Sequence, residues 1–321
     1  MSSQSAIQYS LVAALIAVSL VSWLIYHDAT DPLPRCDGHR FAIETVRGGT
    51  APYITLTADG ERGAFLLDYG TTTSSLSAER FPGHARDGTI SDFNLPTFKS
   101  GHFDLVRYWA ARTPKGGQLG IIGTDFLSLL TADFTYGAAG TSVVLGGNAC
   151  ETDVLEHRQL IPIRQKGFFS SNPAHLTPGR PNVPIVYLKI GPVMTWAQID
   201  TGYDDIAQRP SIDINDALFT KLEAAGVLLT PSGETKISTC AGNESRSAFK
   251  TPDVSVVTET GSLVRRLESV TLVRKTRNTC GGIANIEEPA AQVASSLLSI
   301  LGQVVFDPKT ETLWVKGADA P

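Results

Sequence analysis

The sequence predicts a mostly β protein of two lobes related by a pseudo-twofold, preceded by one N-terminal transmembrane helix. Three observations predict it. A length of 321 residues suits two lobes better than one or three. The 29 Gly and 18 Pro favour turns and strands over a helical bundle. A unit of strand, turn, strand and Asp-x-Gly also occurs twice, behind an apolar N-terminal run. Composition narrows the function. With 42 % hydrophobic and 18 % charged residues, the chain can bury a core and is not disordered. A net charge of −5 leaves no basic surplus for gripping nucleic acid. Four cysteines, with no Cys-x-x-Cys pair and no His-x-x-x-His cluster, argue against a disulfide scaffold and a zinc site. No metal or cofactor is expected.

The first 27 residues contain no Asp, Glu, Lys or Arg, and Ile7 to Tyr26 form a mostly apolar run. As a helix this run matches the hydrocarbon thickness of a bilayer, with Trp23 and Tyr26 near one interface. A cleaved signal peptide is the competing reading. Against it stand an n-region without Lys or Arg, a long apolar run and no clear small-x-small site. A buried soluble helix is the weakest of the three. The flank His27, Asp28 and Asp31 is not the Lys/Arg-rich flank of a cytoplasmic side. Residues 1–6 are therefore expected in the cytoplasm as a short tail and the remaining chain outside, periplasmic if the source is bacterial. The expected organisation continues with a linker at 27–40, an N-terminal lobe at 41–150, an interlobe segment at 151–182 and a C-terminal lobe at 183–321. An exported domain can keep disulfides. Of the three connectivities available, Cys36–Cys150 with Cys240–Cys280 follows the block structure; four free thiols are the alternative for a cytoplasmic domain.

The repeat carries most of the information. Tyr53-Ile54-Thr55-Leu56 and Ile185-Val186-Tyr187-Leu188 each alternate and lead through a Gly-containing turn to a second strand ending in Asp-x-Gly. Asp68 lies sixteen positions after Pro52, and Asp200 lies sixteen positions after Pro184. Each half closes alike, with a short helix-like apolar run and then two strands, over Gly120–Leu145 and Gln292–Val315. Aligning Phe126-Leu127-Ser128-Leu129-Leu130 with Leu297-Leu298-Ser299-Ile300-Leu301 sets Ala294 opposite Gly123. Using Gly302 instead leaves no room for a helix before the strand at Val304. The second half adds a helix after Asn215 as N-cap, with Gly226 past its end.

Phe65-Leu66-Leu67-Asp68-Tyr69-Gly70-Thr71-Thr72 and Ala197-Gln198-Ile199-Asp200-Thr201-Gly202 resemble the two active-site turns of pepsin-like aspartic proteases. Ile121-Ile122-Gly123 resembles the hydrophobic-hydrophobic-Gly element that packs under such a turn. By pattern the resemblance runs from about residue 41 to 316. The short span from Asp68 to Gly123 is similar to the retroviral (retropepsin-like) branch, and the longer second half to the pepsin C-lobe. It implies a bilobed acid-protease fold and an endopeptidase that acts on a peptide or protein substrate as a monomer, with Asp68 and Asp200 as the catalytic pair. The reason is physical. Two carboxyls in contact cannot both ionise easily, so they share a proton; one activates water while the other donates to the substrate carbonyl.

The same resemblance implies supporting roles for Gly70, Gly202, Thr71 and Thr201. Thr71 would support its neighbouring carboxylate, and Thr201 would donate its hydroxyl across the lobe interface. The chain departs from the pattern at Tyr69, where a Thr or Ser hydroxyl is expected, at Tyr203, which stands opposite Thr71, and at Ala294. Both Asp remain. The alternatives are a peptide-binding module that has lost efficient turnover and a membrane-anchored interaction domain.

A substrate-covering flap is sought in Phe81–Phe98, with Gly83 and Gly88 at its tip. Tyr108 and Trp109 read as core before pocket, and His84, His102 and His175 as isolated surface or structural residues. The basic stretch from Arg265-Arg266 to Arg274-Lys275-Thr276-Arg277 reads as a solvated face.

Overall fold

The computed structural model describes residues 36–45, 49–84, 88–106, 117–137, 140–146, 150–165, 183–204, 208–239, 242–277 and 282–317. Residues 7–26 and both Cys240 and Cys280 lie outside the described residues, as do Tyr108, Trp109 and His175. Among the described residues no helix is long and apolar enough to cross a membrane.

The fold is mostly β, and its duplication is topological as well as sequential. In the first half the strands Tyr53–Ala58, Glu61–Leu67, Gln118–Ile122, Ser75–Ser77 and Asp104–Val106 form one sheet in that order. In the second half Ile185–Ile190, Val193–Asp200, Ala290–Ala294, Ser211–Asn215 and Thr271–Lys275 run in the same order within a nine-stranded sheet. The senses agree as well. The strand that ends at each Asp turn pairs parallel with its closing strand, which is antiparallel to the next, which is parallel to the fifth. The second-half sheet continues at one side into the hairpin Thr230–Thr239/Gly242–Lys250 and at the other into Val254–Val257 and Leu263–Leu267.

A six-stranded sheet joins the halves, in the order His39–Ala42, Ser142–Gly146, Thr131–Thr135, Gln303–Asp307, Thr312–Lys316, Leu160–Arg164. Its centre is the antiparallel pair in which Asp133 faces Val305 and Phe134 faces Val304. Each half therefore supplies an inner strand, an outer hairpin strand and an edge. The closing helices Thr124–Leu127 and Ser295–Leu301 precede the inner strands. Asp307 Oδ1 accepts from Lys309 N at 3.1 Å and so folds the hairpin turn between Gln303–Asp307 and Thr312–Lys316. The added helix of the second half spans Asp216–Ala224. Asn215 caps it by accepting from Leu218 N at 2.9 Å, and Gly226 follows at φ +70°.

The segment after Cys150 is more than a connector. It forms the helix Thr152–His157 and then the edge strand Leu160–Arg164, with Leu160 and Ile163 buried. Pro162 obscured that strand in the sequence, and an edge is where a sheet tolerates a residue with no N–H to donate. The sought flap also differs. Phe81, Ile90, Phe93 and Leu95 are buried in the main core, and Asp59 Oδ1 accepts from Ser91 N and Asp92 N at 2.9 and 2.7 Å. Those contacts pack the described part of Phe81–Phe98 down on the first-half sheet.

Against the joining sheet lies a small cluster of Cys36, Cys150, Leu155, Leu160, Val305 and Trp314, in which Cys36 and Cys150 form a disulfide. The buried Arg158 donates to Asp133 Oδ2 at 2.8 Å, and Gln303 Nε2 donates to Asp133 Oδ1 at 2.8 Å. A bridge between residues 114 apart removes much freedom from the unfolded chain. Replacing Cys36 and Cys150 together by Ser should lower unfolding free energy by about 4 kcal/mol, read by urea denaturation. A loss below about 1 kcal/mol would show that the edge strands are held without the bridge.

Candidate active site

Each Asp strand is flanked on both sides within its sheet before the chain turns. Leu67 N donates to Pro52 O at 3.0 Å and Ile199 N to Pro184 O at 2.9 Å, one residue before Asp68 and Asp200 respectively. Three residues past each Asp the chain is tied again: Thr124 N donates to Thr71 O at 2.9 Å and Ser295 N to Tyr203 O at 3.0 Å. These matched bonds make Ala294 the counterpart of Gly123. A Cβ on Gly123 would stand 3.0 Å from Thr71 O and Thr73 O.

The two carboxyls lie close enough to act on each other, and both residues remain partly exposed. Their approach explains the two glycines. A Cβ on Gly70 would overlap the Asp200 carboxyl, and one on Gly202 would overlap that of Asp68. The turn amides converge on one side: Gly70 N and Gly202 N donate to Asp68 Oδ1 at 2.7 and 3.2 Å. Asp200 Oδ2 instead accepts a short hydrogen bond from Gln292 Nε2.

Burial raises the Asp68 pKa, while the two amides act to lower it. Asp200 is pushed up to about 8, first by burial and then by the charge of Asp68, with Lys275 and Gln292 working in the opposite sense. The turn amides favour charge on Asp68, and that charge in turn favours the protonated form of Asp200.

Thr201 bridges the halves. Its buried hydroxyl donates to Leu67 O at 2.7 Å and accepts from Tyr69 N at 2.9 Å, fixing the first turn from the second. The reciprocal bridge is absent among the described residues, because Tyr69 sends its ring into the interior. That ring stacks on Phe306 at 3.9 Å and meets Phe134 edge-on at 6.3 Å, and its hydroxyl has no partner among the described residues. Phe134 and Phe306 hold equivalent places on the two inner strands, so Tyr69 fills the space between the halves with apolar contact. A second link compensates. Thr50 N donates to Asp204 Oδ2 at 2.7 Å, and Thr50 Oγ1 shares a hydrogen bond with Ser295 Oγ at 2.9 Å.

The other expected support residues sit elsewhere. Thr71 Oγ1 donates to Thr73 O at 3.3 Å, so its hydroxyl is directed to the backbone. Tyr203 reaches past the turn and donates to Asp213 Oδ1 at 3.2 Å. His102 is exposed on a two-residue strand. Lys275, read as part of a solvated face, is buried: along Thr271–Lys275 it points inward beside Gln292, while Arg274 lies over the Phe219 ring.

Sequence reasoning missed Ser74 and Asp125, which tie the first turn's exit to the closing helix. Gly123 N donates to Ser74 Oγ at 2.8 Å, and Ser74 Oγ donates to Asp125 Oδ1 at 2.6 Å. It also missed Thr50, Gln292 and Lys275. The signal for Gln292 was present, since the alignment that sets Ala294 opposite Gly123 sets Gln292 opposite Ile121. Among the described residues no group of three or more His, Cys, Asp or Glu could hold a metal ion.

No protein-family model matches the chain, and no curated protein matches it. Among solved structures it is similar to an aspartic proteinase from Irpex lacteus, at 8 % identity over 88 % of this chain and 98 % of that one, with a TM-score of 0.48. It is also similar to the basic 7S globulin from soybean, at 10 % identity over 87 % and 95 % with a TM-score of 0.45. The third is conglutin gamma, a basic 7S globulin from lupine seeds, at 9 % identity over 87 % and 95 % with a TM-score of 0.45. Likeness at these levels decides neither activity nor family.

Two outcomes check the site. Thr201→Val strands a buried amide and carbonyl and should cost about 2–4 kcal/mol, whereas Tyr69→Phe removes an unpartnered hydroxyl and should leave stability equal or about 1 kcal/mol higher. Urea midpoints that fall equally for both variants would contradict the assignment of the bridge to Thr201. The second outcome is pH dependence. The folded pKa of Asp200 is above its unfolded value, so its contribution is complete below about pH 4 and is lost as pH rises through about 8. Asp213, raised to about 6 chiefly by burial, adds a decline of the same sign at lower pH. Unfolding midpoints should therefore fall from pH 4 to 8, and Asp200→Asn should flatten the upper part of that fall. A flat wild-type profile would count against the interacting carboxyls.

Proposed function

We propose that the chain is an aspartic-type endopeptidase whose dyad is Asp68 and Asp200. The observation that carries the reading is the contact of two carboxyls from equivalent turns of two equivalent halves, one backed by backbone amides and the other pushed up to about 8. Asp68, ionised, takes a proton from a water held between the carboxyls. Asp200, protonated, donates to the carbonyl oxygen of the scissile amide as the water oxygen bonds to its carbon. The resulting gem-diol collapses as Asp68 passes its proton to the amide nitrogen, one diol hydroxyl returns a proton to Asp200, and the carbon–nitrogen bond breaks.

A peptide would lie between the halves, across faces of opposite character. Leu66 and Ile121 stand paired two residues before the first turn, and Gln198 and Gln292 occupy the same places before the second. A membrane-anchored placement, with residues 7–26 in the bilayer and the catalytic unit outside the cytoplasm, is part of this proposal and is supported by the apolar run and the disulfide.

A second reading, a peptide-binding module without turnover, is favoured by one observation: among the described residues only one of the two cross-half hydroxyl bridges is made. Incubation of the protein with an unstructured peptide between pH 3 and 7, followed by mass spectrometry, separates the two. Cleavage that is lost in both Asp68→Asn and Asp200→Asn, by at least about 10³-fold, is the expected result. Peptide binding without cleavage at any of these pH values would select the second reading.

A further inference from the structure

Behind Asp200 lies a polar row with no equivalent in the first half. Across the second-half sheet Gln198, Gln292 and Asp213 stand in register, all buried, and Lys275 lies beyond them. The positions equivalent to Gln292 and Lys275 are Ile121 and Val106, both apolar. A polar row buried on one side only has been built there at a cost, because each group needs a partner.

We propose that Lys275 is a positioning residue for the dyad, acting through Gln292. The geometry dictates how. Lys275 Nζ can only donate, and it donates to Gln292 Oε1 at 3.3 Å. That contact fixes which end of the amide faces the cation, so Nε2 must face Asp200 and does donate to its Oδ2. Asp200 Oδ2 is thereby an acceptor, and the proton of the pair is confined to the side facing Asp68. Asp68 Oδ1, occupied by two amides, is an acceptor for the same reason. Each carboxyl has one oxygen committed, which leaves the facing oxygens to share one proton and a water.

The surrounding charges single out Lys275 for this task. Arg246, the other buried cation nearby, already holds Asp213 Oδ2 at 2.8 Å and Glu244. Asp213 also accepts from Tyr203. Around Asp200 and Lys275 the charged groups are thus Asp68 from the first half, Asp213 from Ser211–Asn215, and Arg246 and Glu244 from Gly242–Lys250. Gly282 closes the row: a Cβ there would overlap Gln292 Oε1 and stand 3.0 Å from Lys275 Nζ. The cation opposes the rise that burial imposes on Asp200.

The inference rests on the dyad reading for its importance, but its test needs no peptidase activity. Carbon-13 carboxyl NMR on the full chain follows the titration of Asp68 and Asp200 in wild type, Lys275→Met and Gln292→Met. Losing the cation should move the upper step of the pair to higher pH by about half a pH unit or more, and Gln292→Met should move it the same way. If Lys275→Met does not fold, Lys275→Gln, which removes the charge but keeps a hydrogen-bonding amide, reads the same step. A purely structural lysine would lower the urea midpoint and leave the titration in place. An unmoved or lowered step in a folded variant overturns the proposal. A shifted step in a protein that cleaves nothing would uphold it while removing the endopeptidase reading, and an active enzyme with an unmoved step would do the reverse.

Discussion

Two like-charged groups, each carried by a different half of one chain, are held in contact, and the remaining structure serves that contact. Left free, carboxylates so close would repel once both ionised. Three devices oppose the repulsion. The joining sheet fixes the halves through Thr131–Thr135 and Gln303–Asp307. The Thr201 hydroxyl locks the first turn to the second. Burial raises both pKa values, and the charge of Asp68 raises that of Asp200 further, so a second charge on the pair is opposed. Glycine at positions 70 and 202 is a condition of all three, because any side chain would occupy the place of the opposite carboxyl.

The duplication is close in topology and loose in chemistry. Five strands in each half keep the same order and the same senses, yet the groups around the two Asp differ. Backbone amides serve Asp68; an amide side chain backed by a lysine serves Asp200. The interface is asymmetric in the same way. Where a second hydroxyl bridge would stand, the Tyr69 ring packs between Phe134 and Phe306, and Thr50 with Asp204 and Ser295 supplies polar contact beside it. The two carboxyls therefore have unequal surroundings.

Much of this was legible in the sequence because spacing along a strand is a geometric quantity. Equal runs from Pro52 to Asp68 and from Pro184 to Asp200 place both Asp at the same point of equivalent hairpins. The need for a helix before Val304 set Ala294 opposite Gly123, and the matched bonds of Thr124 and Ser295 agree. Other features had no local signature. Leu160–Arg164 becomes a strand only because Thr312–Lys316 offers it an edge. A large ring at position 69 reads as crowding until Phe306 is known to stack on it. Lys275 shares a basic run with Arg274 and Arg277, and alternation alone cannot say that one of the three turns inward to a polar row. Charge in sequence is read as exposure by default, and the default failed where burial was matched by partners.

The central claim is that Asp68 and Asp200 hold a single proton between them. Neutron diffraction from crystals of the protein grown near pH 6 measures this directly. The account predicts one deuteron between the facing carboxyl oxygens, with Asp68 Oδ1 and Asp200 Oδ2 bare and accepting. Two bare carboxylates, or a deuteron on each, would contradict it.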